Sequence, residues 1–294
     1  MAHAPIVIAA IAFCALLALR LFLALRKRQE KTVGRRGADL FVVRKHGRFR
    51  ELVIMSPTHE QVQSRQDLRN ELSSGRGYVD GFHVAMIGRP SARRALFLGG
   101  GACVGPRQFE AAYPGLQVDV VESEALVVDA ARTHFGLRES ERLAVHVADA
   151  RAFVKTATPY DVVVIDCYDA YRMPGHLLTA EFFAEVRAVV TGAVVLNLVG
   201  NPKRTLVPAI LAGLARAFPE WKIAVFAVPD EAGGRHPISN FIVLVTPSLP
   251  ELAGASVAVA PFLPEIVAGR IDLPIDPERA YADATSRTWV PVTE

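Results

Sequence analysis

The chain has 294 residues, 51% of them apolar and 21% charged, which is enough to bury one large core or two small ones and too hydrophobic for disorder. Its three cysteines (Cys14, Cys103 and Cys167) include no Cys-x-x-Cys pair, which excludes a disulfide framework and a zinc knuckle of ordinary spacing. The net charge of +3 is uneven: residues 1–50 carry 11 Lys and Arg against two acids, leaving 22 against 28 in the body, so no nucleic-acid partner is expected.

Residues 5–25 are apolar except for Arg20 and as a helix would be about 31 Å long, the thickness of a bilayer core. Arg20 lies near the end of the run, where its guanidinium can snorkel to the headgroups. Arg26, Lys27, Arg28 and Lys31 follow the run and no Lys or Arg precedes it, so the positive-inside rule orients the body to the cytoplasm. The expectation is a single-pass protein of the inner (cell) membrane, with residues 1–38 as anchor and basic tether. A cleaved signal peptide, the alternative, would need a basic start and a small-residue cleavage site, and the sequence has neither.

Residues 39–56 place two β-branched stretches around His46-Gly47, a hairpin signal. Leu68, Leu72, Val84 and Met86 suggest helix over 59–90, broken by glycines at 75–81. Residues 39–90 thus form a small N-terminal gate region. From 91 to 248 short apolar runs at 95–100, 116–122, 143–147, 160–166 and 192–198 alternate with helical segments at 106–113, 125–135 and 180–190. A further helix at 203–218 precedes strands at 221–228 and 240–247. That alternation predicts an α/β domain with a parallel sheet wound on both faces. Residues 249–294 form a Pro-rich tail without a predicted element.

The first of those runs ends in Gly99-Gly100-Gly101, where glycine lets the backbone turn sharply and approach a ligand. Glu122 ends the second strand, placed to accept hydrogen bonds from a ribose, and Asp149 follows the third, placed to meet the amine edge of an adenine. Together they point to a nucleoside pocket at the carboxyl ends of the strands. The G-x-G-x-x-G fingerprint is broken at Val104 and Walker A is absent, which favours an adenosyl-sulfonium ligand over a pyrophosphate. After the fourth strand, Asp166, Tyr168, Asp169 and Tyr171 form an acidic, aromatic mouth suited to a cationic amine and to taking its proton. Helix capping by Asp169 is the structural alternative. Cys167 reads as a packing residue, and no histidines have the spacing of a metal site.

The LFLGGG turn, VVESE at 120–124, ADA at 148–150, YDVVVIDCYDA at 160–170 and LTAEFF at 178–183 together resemble the spermidine synthases, or polyamine aminopropyltransferases, and their bacterial spermidine-synthase-like relatives. The resemblance covers about residues 39–247. It implies a Rossmann-like, class I methyltransferase-type sheet, no permanently bound cofactor, and decarboxylated S-adenosylmethionine as co-substrate with a polyamine-type amine as acceptor. Gln63, Gly99, Gly100, Gly101, Glu122, Asp149 and Ala150 would hold the nucleoside; Asp166 and Asp169 would be catalytic. A homodimer is a further implication of the family.

The departures from the family pattern fall at the amine end. Ala102 and Cys103 replace the Asp-Gly that closes the family's glycine turn, Asp169-Ala170 replaces its Asp-Pro, and Ser239-Asn240 stands where a Pro-Ser-Gly run is usual. The family's gate tyrosine falls near Arg69 and Asn70. Without an acid at Ala102 the pocket no longer repels the carboxylate of ordinary S-adenosylmethionine, so a methyltransferase is the alternative, and a non-catalytic membrane-tethered nucleoside-binding protein is a third.

Overall fold

The computed structural model describes residues 16, 30–168, 172–200, 206–228 and 239–280. The apolar run at 5–25, apart from Leu16, lies outside the described residues, among which no helix is long and apolar enough to cross a membrane.

Residues 30–67 form an antiparallel sheet of four strands in sequential order: β1 (Glu30–Arg36), β2 (Asp39–His46), β3 (Phe49–Met55) and β4 (Glu60–Asp67). The expected hairpin is its centre, β2 paired with β3. Two expectations are corrected. Most of the basic stretch assigned to the tether is strand β1, paired with β2 from Glu30 to Arg36; its charged residues interrupt any apolar alternation, which hides the strand in a hydropathy profile. Residues 60–67 are strand and not helix. Their side chains are mostly polar, and what holds β4 is its ladder with β3.

The same region holds a third correction. The glycine-rich stretch read as a break contains a short helix, α1 (Gly77–Gly81), continued by a 3-10 turn over Phe82–Met86. Burial of Val79, Phe82 and Val84 against the main core outweighs the poor helix propensity of glycine.

The main sheet has eight strands in the order β12-β10-β11-β9-β8-β5-β6-β7. Strands β5 (Arg94–Leu98), β6 (Gln117–Glu122), β7 (Leu143–Val147), β8 (Tyr160–Ile165) and β9 (Val190–Gly200) are parallel; β10 (Lys222–Ala227), β11 (Ser239–Thr246) and β12 (Arg270–Ile271) add antiparallel pairs. The central strands are continuous apolar runs because helices cover both faces. On one face Leu96, Val163 and Ile165 meet Phe182 and Phe183 of α5 (Ala180–Val189) and Ile210 of α6 (Leu206–Ala217). On the other, Phe97, Val120 and Val162 meet Phe82 and Phe109, the latter from α2 (Val104–Ala112).

The N-terminal sheet does not stand apart from this sandwich. Phe41, Val43, Leu52 and Ile54 pack on Ala102, on Val104 of α2, and on Val127 and Ala130 of α3 (Ala125–His134). That contact lays β4 over the mouth of the glycine turn. The Pro-rich tail also contributes elements to the fold. α7 (Leu263–Ala268) buries Leu263 and Ile266, and β12 pairs with β10. Asp80 of α1 ties this tail down, accepting from the Phe262 N–H at 3.0 Å and from the Gln108 amide at 3.0 Å. Burial pushes the Asp80 carboxyl up to about 6 against those two hydrogen bonds. α1 is thereby fixed at the edge of the cavity described next.

Candidate active site

The chain runs outward from β5 through β6 to β7 and then returns on the other side of β5 with β8, so the strand order reverses between β5 and β8. A ligand crevice opens at the carboxyl ends of strands at such a reversal. Here it is a cavity of about 730 Å³.

Its floor is the glycine turn. Gly99 has φ +90°, and a Cβ there would sit 2.2 Å from the Asp166 carbonyl oxygen, so only glycine lets the ends of β5 and β8 approach. Gly101 (φ +51°) brings its N–H, with that of Gly100, onto Glu122 Oε2 at 3.0 and 3.1 Å. Glu122 Oε1 accepts from the Glu124 N–H at 3.1 Å. The carboxylate expected at a ribose is thus also the brace of the turn, 7% exposed. Cys103 follows in the left-handed region at φ +57°, a position suited to glycine. Burial and the charge of Glu122 push its thiol up to about 12, so it is no nucleophile.

The third strand end carries Asp149, which caps the short helix α4 (Ala150–Val154) by accepting from the Ala152 N–H at 2.8 Å. Its other oxygen lies 2.8 Å from His176 Nε2. Burial would raise the Asp149 carboxyl, but these two partners outweigh it and hold the group below the usual carboxylate range. Asp149 and His176 therefore form one rim element, a pairing across 27 residues that spacing does not reveal. Asp149→Ala is expected to cost ~1 kcal/mol through the lost cap, and His176→Ala less than about 0.5 kcal/mol; urea denaturation of the two variants checks this.

At the fourth strand end, Asp166 Oδ1 accepts from Asn197 Nδ2 at 2.9 Å. Burial pushes this carboxyl up to about 6, opposed by the Asn197 hydrogen bond and the charge of Arg76 and reinforced by Glu122. Of the two expected mouth phenols, Tyr168 lines the cavity, its hydroxyl donating to the Asn197 carbonyl at 3.1 Å and accepting from the Val199 N–H at 2.9 Å, which commits that hydroxyl to β9. Asp169 and Tyr171 lie outside the described residues. Cys167 is buried, as its packing role requires.

The roof comes from the N-terminal sheet and α1. Between Leu52↔Ser64 and Val53↔Val62 the β3–β4 ladder skips Gln63, a bulge that turns this side chain to the cavity. Ser64 Oγ accepts from the Ala102 N–H at 2.9 Å, locking the roof to the glycine turn. Arg69 and Asn70, which stand where the family's gate tyrosine falls, form an exposed turn. Tyr78 of α1 lines the cavity instead, beside Arg76. All the site residues expected from the sequence, Asp169 apart, thus border one cavity: Gln63, Gly99, Gly100, Gly101, Glu122, Asp149, Ala150 and Asp166. Arg76, Tyr78, His176 and Asn197 were not among them.

A model of the spermine/spermidine synthase domain matches residues 82–239, from the 3-10 turn after α1 to the start of β11. The chain belongs to the spermine/spermidine synthase family. It is 29% identical over 205 residues to the polyamine aminopropyltransferase of Vibrio vulnificus, a match covering 66% of this chain and 66% of that protein, just under two thirds of its length. Among solved structures, a probable spermidine synthase from Corynebacterium glutamicum aligns with a TM-score of 0.63 at 22% identity, covering 84% of this chain and 96% of its own. The spermidine synthase of Thermotoga maritima aligns at 0.64 and 15% identity, covering 83% and 84%. At those identities the structures establish a shared fold: in this family member, a Rossmann-like mixed sheet behind an N-terminal four-stranded antiparallel sheet.

Proposed function

We propose that this chain is a spermidine-synthase-like aminopropyltransferase that moves the aminopropyl group of decarboxylated S-adenosylmethionine to an amine. The carrying observation is Asp166, a carboxylate at the strand reversal, oriented by Asn197 and facing the cavity that the glycine turn and Glu122 complete. The nucleoside lies along Glu122, with Gln63 above and Asp149 at the rim. The acceptor's neutral amine attacks the methylene beside the sulfonium in line, the C–S electron pair passes to sulfur, and methylthioadenosine leaves. Asp166 takes the proton that the amine must lose. Holding both reactants in one cavity supplies most of the acceleration. The test is methylthioadenosine release from decarboxylated S-adenosylmethionine by purified protein in the presence of an amine; absence of release rejects the reading.

Ala102 favours a second reading, methyl transfer from ordinary S-adenosylmethionine. It is 2% exposed at the end of the glycine turn, with only a methyl group where a carboxylate would repel the donor's own carboxylate. Ala102→Asp is expected to raise the preference for the decarboxylated donor by about tenfold. Calorimetry reads this as a ratio of Kd values, which a change in folded fraction leaves unaltered. The third reading, a nucleoside-binding protein without chemistry, predicts binding of either donor and turnover of neither.

Residues 5–25 are proposed to anchor the protein in the inner membrane with the catalytic body cytoplasmic, on the strength of their length, apolarity and basic flank. Alkaline carbonate washing of membranes tests this, since an anchored chain stays in the pellet.

A further inference from the structure

Among the described residues the cavity is lined by Arg36, Arg65 and Arg76 and by the carboxylates Glu60, Glu122, Glu124, Asp149 and Asp166, of which Glu60 is paired with Arg44. Arg36 is paired with Glu124 at 2.8 Å. Arg65 donates to the carbonyls of Ser74 and Gly75 at 3.0 and 2.7 Å and lies 4.2 Å over the Phe49 ring. Arg65 thereby fixes the loop that presents Arg76. Ser73 and Ser74 tighten the same loop, accepting from the Gly75 and Arg76 N–H groups at 3.1 and 2.9 Å.

Arg76 differs from the other two. Among the described residues it makes no ion pair, and it lines the cavity together with Tyr78 and Asp166. A cavity lined by both a carboxylate and a guanidinium is complementary to a molecule bearing both signs. A diamine with one end at Asp166 and its second ammonium toward Arg76 makes a like-charge contact there. A carboxylate in the same place would meet the planar fork of Arg76 and a donating Tyr78 hydroxyl.

We propose that the acceptor is a primary amine that also carries a carboxylate, its amine at Asp166 and its carboxylate on Arg76 and Tyr78. This rests on the aminopropyl-transfer reading. The amine nitrogen's lone pair forms the new N–C bond, the broken C–S bond leaves its pair on sulfur, and the secondary ammonium passes one proton to Asp166. The products are neutral methylthioadenosine and an N-(3-aminopropyl) amino acid.

The test compares putrescine with 4-aminobutanoate, its carboxylate counterpart, using the full-length chain and decarboxylated S-adenosylmethionine, with methylthioadenosine release and product mass as readouts. The expected result is a kcat/KM at least about tenfold higher for 4-aminobutanoate in the wild type, and in Arg76→Ala a loss of about 10²-fold for 4-aminobutanoate through KM together with a gain for putrescine. Arg76→Lys restores part of the 4-aminobutanoate activity. The gain for putrescine is the decisive readout, because a loop-holding role for Arg76 would lower both substrates alike. Faster release with putrescine in the wild type, with Arg76→Ala lowering both, overturns the acceptor assignment and leaves aminopropyl transfer standing. No methylthioadenosine from either amine overturns both.

Discussion

Asp166→Asn is expected to lower kcat/KM by about 10²- to 10⁴-fold, the range for removing a general base, with little change in donor binding. The amide is isosteric, and its Oδ1 still accepts from Asn197, so the side chain stays where the carboxylate was. What it loses is the ability to take the amine's proton. The pH profile separates this from a loss of folding. Asp166 titrates near 6 because burial opposes its charge, so wild-type kcat/KM should fall about tenfold per pH unit below 6 and the variant should lack that limb. Stability moves the other way. A carboxyl whose folded pKa lies above its unfolded value contributes most when neutral, and that contribution is lost as the pH rises through 6. At pH 8 the variant should therefore be at least as stable as the wild type, as a thermal melt will show.

Gly99→Ala is expected to destabilise the protein by at least about 3 kcal/mol, combining the cost of a left-handed alanine with a forced backbone displacement. The added Cβ would stand 2.2 Å from the Asp166 carbonyl oxygen and 3.1 Å from the Cys167 N, neither of which is a flexible side-chain end. Relief requires β5 and β8 to part at their carboxyl ends, where the Asp166 N–H to Leu98 carbonyl bond of 2.8 Å holds them together. For a domain of this size ~3 kcal/mol corresponds to a fall in Tm of about 6 °C or more, measured by circular dichroism. Donor affinity should fall as well, because parting the strands moves Gly100 and Gly101 off Glu122. Unchanged Tm and donor Kd would show that the turn adapts elsewhere.

The doubly wound half of the fold was legible in the sequence because its signals are local. Buried parallel strands are continuous apolar runs, and their carboxyl ends are marked within one or two residues by Gly99, Glu122, Asp149 and Asp166. Order along the chain and position at a strand end were enough to gather these residues at one crevice, since that topology admits few alternatives. The C-terminal end was less legible: β12 is two residues long, and α7 is held by Asp80, 182 residues away from the amide it accepts.

The sequence by itself determined the family, the class of sheet and the acids at its rim. The tertiary structure alone decided what faces them. Strand β1 is basic and β4 polar, so neither has an alternating apolar pattern, and both exist because the ladder and the packing of Phe41 and Ile54 on α2 and α3 hold them. The bulge that turns Gln63 inward is a property of strand pairing, which residue type does not encode. Tyr78, Arg76 and the Asp149–His176 pair reach the cavity through contacts between residues far apart in the chain. Such contacts depend on where whole elements dock, and docking is set by the sum of buried surfaces on both partners, a quantity no local stretch of sequence contains.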